Sequence, residues 1–157
     1  MPVQDILLGI ERSGIAQAIS KSSHLVIAGL QVIHVIGIIL LLSALVLLSL
    51  RLLGLVFKAQ NVTAVSKDAQ RLMYLGFALA FVSGVLMFVA SPRHYFYNSA
   101  FQLKMILFVL AIAVQVFLLR RAAQNDSPSP VLARVSASLA LVLWFGVGLS
   151  GRVIGFI

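Results

Sequence analysis

Four long apolar runs, separated by short polar segments, set the pattern of the chain. The first extends from about Leu25 to Leu50, the second from Leu72 to Ala90, the third from Phe101 to Leu119 and the fourth from about Val135 to Ile154. Each is close to or above the about 20 residues that carry a helix across a hydrocarbon core. The first is long enough to tilt or project from the membrane. Arg51 and Lys58 close the first run, and residues 58–71 read as a polar connection in which Ser66 is placed to cap the next helix. Ser91-Pro92 stops the second run, because proline lacks a backbone donor and disfavours helix in the residue before it. Arg120-Arg121 ends the third, and the stretch Gln124 to Pro130 breaks the chain before the fourth. Ahead of the first run, residues 3–20 place Leu7, Leu8, Ile15 and Ile19 on one helical face and Asp5, Glu11 and Arg12 elsewhere. That segment is too short and too charged to span, so it predicts an amphipathic helix lying in the interface. Short connections make sequential spans antiparallel neighbours. The expected fold is an all-α integral membrane protein, a single domain over residues 1–157 built as a four-transmembrane-helix up-down bundle with an N-terminal interfacial helix.

Composition narrows the function classes. The chain is 61% hydrophobic and 10% charged, with a mean hydropathy of +1.09. A soluble domain is about half apolar and about a quarter charged. A water-soluble fold, a disordered chain and a nucleic-acid-binding protein are therefore excluded, and the lipid bilayer is the first partner. Twelve Lys and Arg against four Asp and Glu give a formal charge of +8. The basic residues flank the apolar runs, so they report orientation. Arg51, Lys58, Lys67, Arg71, Arg120, Arg121 and Arg134 make seven on one side, and Arg12, Lys21, Arg93, Lys104 and Arg152 make five on the other. The positive-inside rule then puts both termini outside, which is the periplasmic side if the membrane is the inner membrane of a Gram-negative bacterium, the expected location. The chain has no cysteine, which excludes disulfides, iron–sulfur clusters and haem attached through Cys. The acidic Asp5 and Glu11 stand where a cleavable signal peptide would carry basic residues, and no short apolar core precedes a cleavage site.

Helices gain little in lipid by hiding apolar surface, so small residues that allow close backbone approach mark the seams. Gly76, Ala80 and Gly84 form such a ridge on the second span. Ser136, Ala140, Trp144 and Gly148 form a stripe on the fourth, with Gly151 and Gly155 on a neighbouring one. No internal repeat is evident.

Polar groups at membrane depth are costly and mark candidate sites. His34 lies nine residues beyond Leu25, about 13 Å along the helix, with Gln31 and Gly37 three residues to either side on the same face. A histidine there can ligate haem iron, with glycine letting the macrocycle approach, or hydrogen-bond a quinone carbonyl. The ordinary alternative is a buried histidine satisfied by a serine or a backbone carbonyl of a neighbouring helix. His24 reads as an interfacial anchor, and His94 lies in an aromatic-rich loop, 92–98, that suits the headgroup level. Lys104, one turn inside the third span, is expected to snorkel. Arg152, eight residues after Trp144 on the same face, reads as a terminal anchor or as a partner for a propionate, a quinone or a lipid phosphate. Together His34, Lys104, Trp144, Arg152 and the 93–98 loop suggest one pocket at the outer end. The other half holds only scattered serines and Gln115, which argues against an ion conduit or a di-haem electron carrier. No paired carboxylates, catalytic triad, phosphate loop or zinc set is present.

The stretch His34-Val-Ile-Gly37 running into Arg51-Leu52-Leu53-Gly54, the segment Tyr95 to Lys104 and the closing Trp144…Gly151-Arg152 resemble a family of uncharacterised bacterial four-span membrane proteins, over nearly the whole chain. The resemblance implies topology and no particular activity. The family pattern carries an acidic residue near the histidine and an Asp before Arg-Leu-Leu-Gly, where this chain has Gln31 and Leu50. More distantly the chain is similar to four-helix haem-b membrane cytochromes and copper-resistance membrane domains. Two functions follow as expectations. One is a redox-associated protein holding one haem b or one quinone in the outer half, with His34 as ligand or hydrogen-bond partner and Gln31, Gly37, His94, Lys104, Trp144 and Arg152 around it. The other is a non-catalytic accessory subunit or assembly factor of a larger membrane complex, or a homo-oligomer.

Overall fold

The computed structural model describes residues 2–22, 24–125 and 128–156. Every regular element among them is helical. Two short helices, α1 (Pro2–Glu11) and α2 (Gly14–Ser20), precede the long helices α3 (His24–Leu52) and α4 (Val62–Ala90). The short α5 (Pro92–Phe96) leads into α6 (Ser99–Ala123) and then α7 (Pro130–Val153). The helices α3, α4, α6 and α7 are each long and apolar enough to cross a membrane, and the protein is an integral membrane protein with a four-helix bundle.

Local chemistry accounts for the boundaries. Pro92 and Pro130 each stand in the first turn of their helices, where the missing N–H has no intrahelical partner to lose. Asn98 and Ser129 accept hydrogen bonds from the Phe101 and Leu132 amides at 3.1 and 3.2 Å, satisfying donors that the helix itself leaves open. Gly54 adopts a φ of +72° just beyond α3, the left-handed turn that ends helices. Ser13, capping Ala16 at 3.3 Å, separates α1 from α2, so the single amphipathic helix expected over 3–20 is two. Ile15 is exposed while Leu7 and Ala16 are buried.

The largest departure from the sequence reading is at α4. The stretch 62–71 is helix, not connection, and Ser66 lies inside it, buried and accepting from Gln70 Nε2 at 2.8 Å. Asn61 takes the cap position instead. Hydropathy measures the part of a helix that suits lipid, and α4 continues about three turns past it. Of the expected break at 124–130, Asp126 and Ser127 lie outside the described residues.

Around the bundle α3 packs on α4 and on α7, and α7 packs on α6. The tightest crossing is between α3 and α4 at Gly37 and Gly76. A Cβ placed on Gly37 would stand 2.5 Å from the Ala80 nitrogen, and one on Gly76 would stand 2.6 Å from the Gly37 oxygen. The fourth seam, α4 against α6, closes at the basic end, where residues 120–123 reach α3 and α4. At the opposite, aromatic end it is bridged by rings: Phe77 stacks on Phe108 with centroids 6.0 Å apart, and Phe88 on Phe101 at 5.5 Å. The N-terminal helices pack at this aromatic end, α1 on α5 and α2 on α4. Glu11 pairs with Arg93 at 2.8 Å.

Candidate functional site: a histidine–lysine pair beside an apolar cavity

The Gly37–Gly76 crossing brings α4 close enough for its backbone to bond a side chain of α3. One turn from the crossing, His34 Nδ1 lies 2.7 Å from the Ala80 oxygen. A carbonyl only accepts, so Nδ1 carries the proton and the neutral ring keeps its lone pair on Nε2. Ser83 adds a contact to Nδ1 at 3.1 Å while its own hydroxyl donates to the Leu79 carbonyl. Gly84 leaves room for the ring, since a Cβ there would meet His34 Cε1 at 3.0 Å. The expected small-residue ridge thus has three separate duties. Gly76 admits α3, Ala80 supplies the acceptor, and Gly84 seats the imidazole.

Lys104 reaches the other nitrogen. Its Nζ donates to His34 Nε2 at 3.4 Å, and its stem passes over Gly151 of α7, where a Cβ would stand 3.3 Å from Nζ. The lysine was expected to snorkel outward. It is half-buried and turned inward because Gly151 leaves a lysine-sized space and His34 offers an acceptor inside the bundle. One polar unit, Ser83–His34–Lys104, therefore links α4, α3 and α6.

That unit borders two neighbouring cavities that share part of their lining. The deeper, of about 330 Å³, is lined by apolar groups of all four spans, including Phe77, Phe81, Phe108 and Trp144, with His34 and Lys104 as its polar members. The second, of about 520 Å³, opens toward the aromatic end and is lined by Gln31, His94, Tyr95, Arg152 and the same His34–Lys104 pair. Both volumes fall in the range of about 300–1,000 Å³ usual for small-molecule sites. Burial of the Tyr95 phenol, in α5, raises its pKa above the ordinary value.

Six of the seven residues singled out in the sequence line these cavities. His34 and Lys104 touch. Trp144 forms an apolar wall against Phe108, at 6.0 Å edge-to-face, and its indole Nε1 is buried with no partner among the described residues. Gln31, His94 and Arg152 line the outer vestibule, with the Arg152 guanidinium 5.1 Å above the Phe156 ring. Gly37 is the exception. The space beside it is filled by the α4 backbone, so it admits a helix and not a macrocycle. His24 is exposed and lines neither cavity. No cluster of three His, Cys or carboxylate groups able to hold a metal occurs among the described residues.

Two features escaped the sequence reading. By sequence Ser83 counts among the scattered serines of the half away from the pocket, but it lies against His34, and its spacing from Ala80, three residues on, puts both on one face. The π turn at Gln115–Leu119 in α6 has no signal in the local sequence. It leaves Gln115 half-buried, with Nε2 3.9 Å from Met73 Sδ and a buried Oε1 without a partner among the described residues.

Comparison with known proteins gives a family and no more. Residues 11–157 match the model of DUF6644, a family of unknown function. No match to a curated protein or to a solved structure was found.

Proposed function

The chain belongs to this family of unknown function, and from its own site we propose that it is a redox-associated, quinone-binding membrane protein, holding one lipid-soluble quinone with its head group at Lys104 and His34. The observation that carries this reading is the Lys104–His34 contact on the wall of an otherwise apolar cavity. A lysine side chain has more than one donor, so Lys104 can bond a quinone carbonyl while it holds His34. On reduction the head presents a hydroxyl, and Nε2 of His34, the nitrogen left unprotonated by the Ala80 carbonyl, becomes its acceptor once Lys104 Nζ turns from the ring to the head-group oxygen. The Ala80 oxygen and the Ser83 hydroxyl would steady the Nδ1–H of the imidazolium that results. Binding and proton transfer can thus use the same two side chains.

Haem b is the less well supported ligand. A macrocycle at His34 would need the space beside Gly37, and the α4 backbone fills it. The accessory-subunit reading rests on small size, small-residue ridges and the lack of a complete catalytic set, and of these the Gly76–Ala80–Gly84 ridge and the Ser136, Ala140 and Trp144 positions are used inside the bundle. The distribution of basic residues favours an orientation with the aromatic end and the vestibule on the non-cytoplasmic side, which is the periplasmic side if the membrane is a bacterial inner one.

The test is an absorption spectrum and a quinone assay of solvent extracts from the detergent-purified protein. We expect a colourless preparation carrying quinone, with the quinone lost from Lys104→Met and His34→Ala. A Soret band that disappears in His34→Ala would replace quinone by haem. A colourless, quinone-free protein from a quinone-replete membrane would overturn the reading and leave the accessory role.

A further inference from the structure

The four seams of the bundle are not equivalent. At the α3–α4 seam the backbones meet at Gly37 and Gly76, whereas the α4–α6 seam at the aromatic end is spanned by ring pairs. Between the Phe77–Phe108 and Phe88–Phe101 stacks, Phe81, Val85 and Met105 line the deep cavity. The same three side chains are 50%, 44% and 41% exposed. Side chains that line a cavity and are also this exposed form the rim of an opening. Lys104 stands next to Met105 and points to the interior, so the opening leads to the Lys104–His34 pair.

We propose that this seam is a lateral window through which the cavity is loaded directly from the bilayer, so that its ligand is a membrane-resident amphiphile whose hydrocarbon chain lies in the window while a hydrogen-bond-accepting head sits at Lys104. The proposal rests on the reading of His34 and Lys104 as the ligand site, and it specifies the ligand class and route. The vestibule, with Gln31, His94 and Arg152, serves water and protons. The chemistry of the walls supports the division. The window is built of Phe, Val and Met, while the vestibule supplies the polar groups that a hydrocarbon chain would leave unsatisfied.

Two properties of the chain make a direct test simple. It contains no cysteine and one tryptophan, Trp144, which lines the deep cavity and is only 7% exposed. The double variant Val85→Cys/Met105→Cys is reconstituted in bilayers containing lipids brominated on their acyl chains, and Trp144 fluorescence is read before and after bridging the two thiols with a reducible cross-linker. A second pair, Gln31→Cys/Ile154→Cys, bridges the vestibule. We expect brominated chains to quench Trp144 in the open protein, the window bridge to abolish most of that quenching, reduction to restore it, and the vestibule bridge to leave it unchanged. Absence of quenching in the open protein, or quenching that survives the window bridge, overturns the proposal. A quinone with a short alkyl tail, added to the open protein, separates the two readings: brominated chains that quench where the quinone does not would sink the quinone assignment and leave the window standing.

Discussion

Substituting Gly37 by alanine tests whether the α3–α4 crossing is what builds the site. The added carbon would lie 2.5 Å from the Ala80 nitrogen and 2.8 Å from the Gly76 oxygen. Carbon contacts are favourable only near about 3.5–4.0 Å, so α4 has to retreat by about 1 Å. Both obstacles are backbone, and no side chain can rotate away to absorb the strain. Overpacking of this kind costs about 1–3 kcal/mol. The retreat also stretches the 2.7 Å bond from His34 Nδ1 to the Ala80 oxygen beyond hydrogen-bond range, and interhelical bonds in membranes average about 0.6 kcal/mol. Replacing glycine within a helix returns up to about 1 kcal/mol. The net expectation is a loss of about 2 kcal/mol, together with release of the imidazole from its fixed orientation. The control is Gly29→Ala on the same helix, where an added carbon meets nothing within 4 Å and stability should hold or rise. Reversible unfolding by SDS in mixed micelles, followed by the fluorescence of Trp144, measures both. If Gly37→Ala proves as stable as Gly29→Ala, the close crossing is not a determinant of the fold and the argument placing His34 against α4 fails with it.

Other substitutions read the remaining contacts. Gly151→Ala places a carbon 3.3 Å from Lys104 Nζ, so it should weaken quinone retention while the unfolding midpoint stays near wild type. Glu11→Gln removes the partly exposed Arg93 pair and should cost less than about 1 kcal/mol; a larger loss in the same SDS titration would mean that α1 clamps the bundle. Tyr95 is held above its ordinary pKa of 10.0 by burial. The folded state therefore binds the phenol proton more tightly than the unfolded one. Its contribution is intact below about pH 10 and lost as pH rises through the higher folded value. The unfolding midpoint should fall in that alkaline window, and the step should be absent in Tyr95→Phe.

Much of the architecture is legible because lipid imposes it. A span must be long, apolar and helical, and the runs 72–90 and 101–119 sit inside α4 and α6 for that reason. Helix ends outside the hydrocarbon obey different physics. Residues 62–71 carry Lys67, Asp68 and Arg71, which read as a loop on hydropathy but pair comfortably with water on a helix that projects from the membrane. The break at Ser13 is similar, a local cap decided by one hydroxyl against a pattern that runs through it.

The site is legible only in part, because its decisive facts are pairwise. His34 stands out alone as an ionisable group deep in a span, and its depth follows from counting residues. Lys104 gives no such signal. A lysine one turn inside a helix end ordinarily turns outward, and what reverses it is the absence of a side chain at Gly151, forty-seven positions away along the chain. Gly37 shows the converse error. Its spacing from His34 is the same whether the glycine faces a ligand or a helix, and only the position of Gly76 decides between them. Glycine in a membrane helix announces that something comes close without saying what. The same small ridge that reads as plain packing is here the device that fixes the tautomer of His34, because Ala80 offers its carbonyl to the ring only once Gly37 and Gly76 have let the two backbones meet. Seam and site are one structure, and a change at either glycine should be felt at the imidazole before it is felt anywhere else in the bundle.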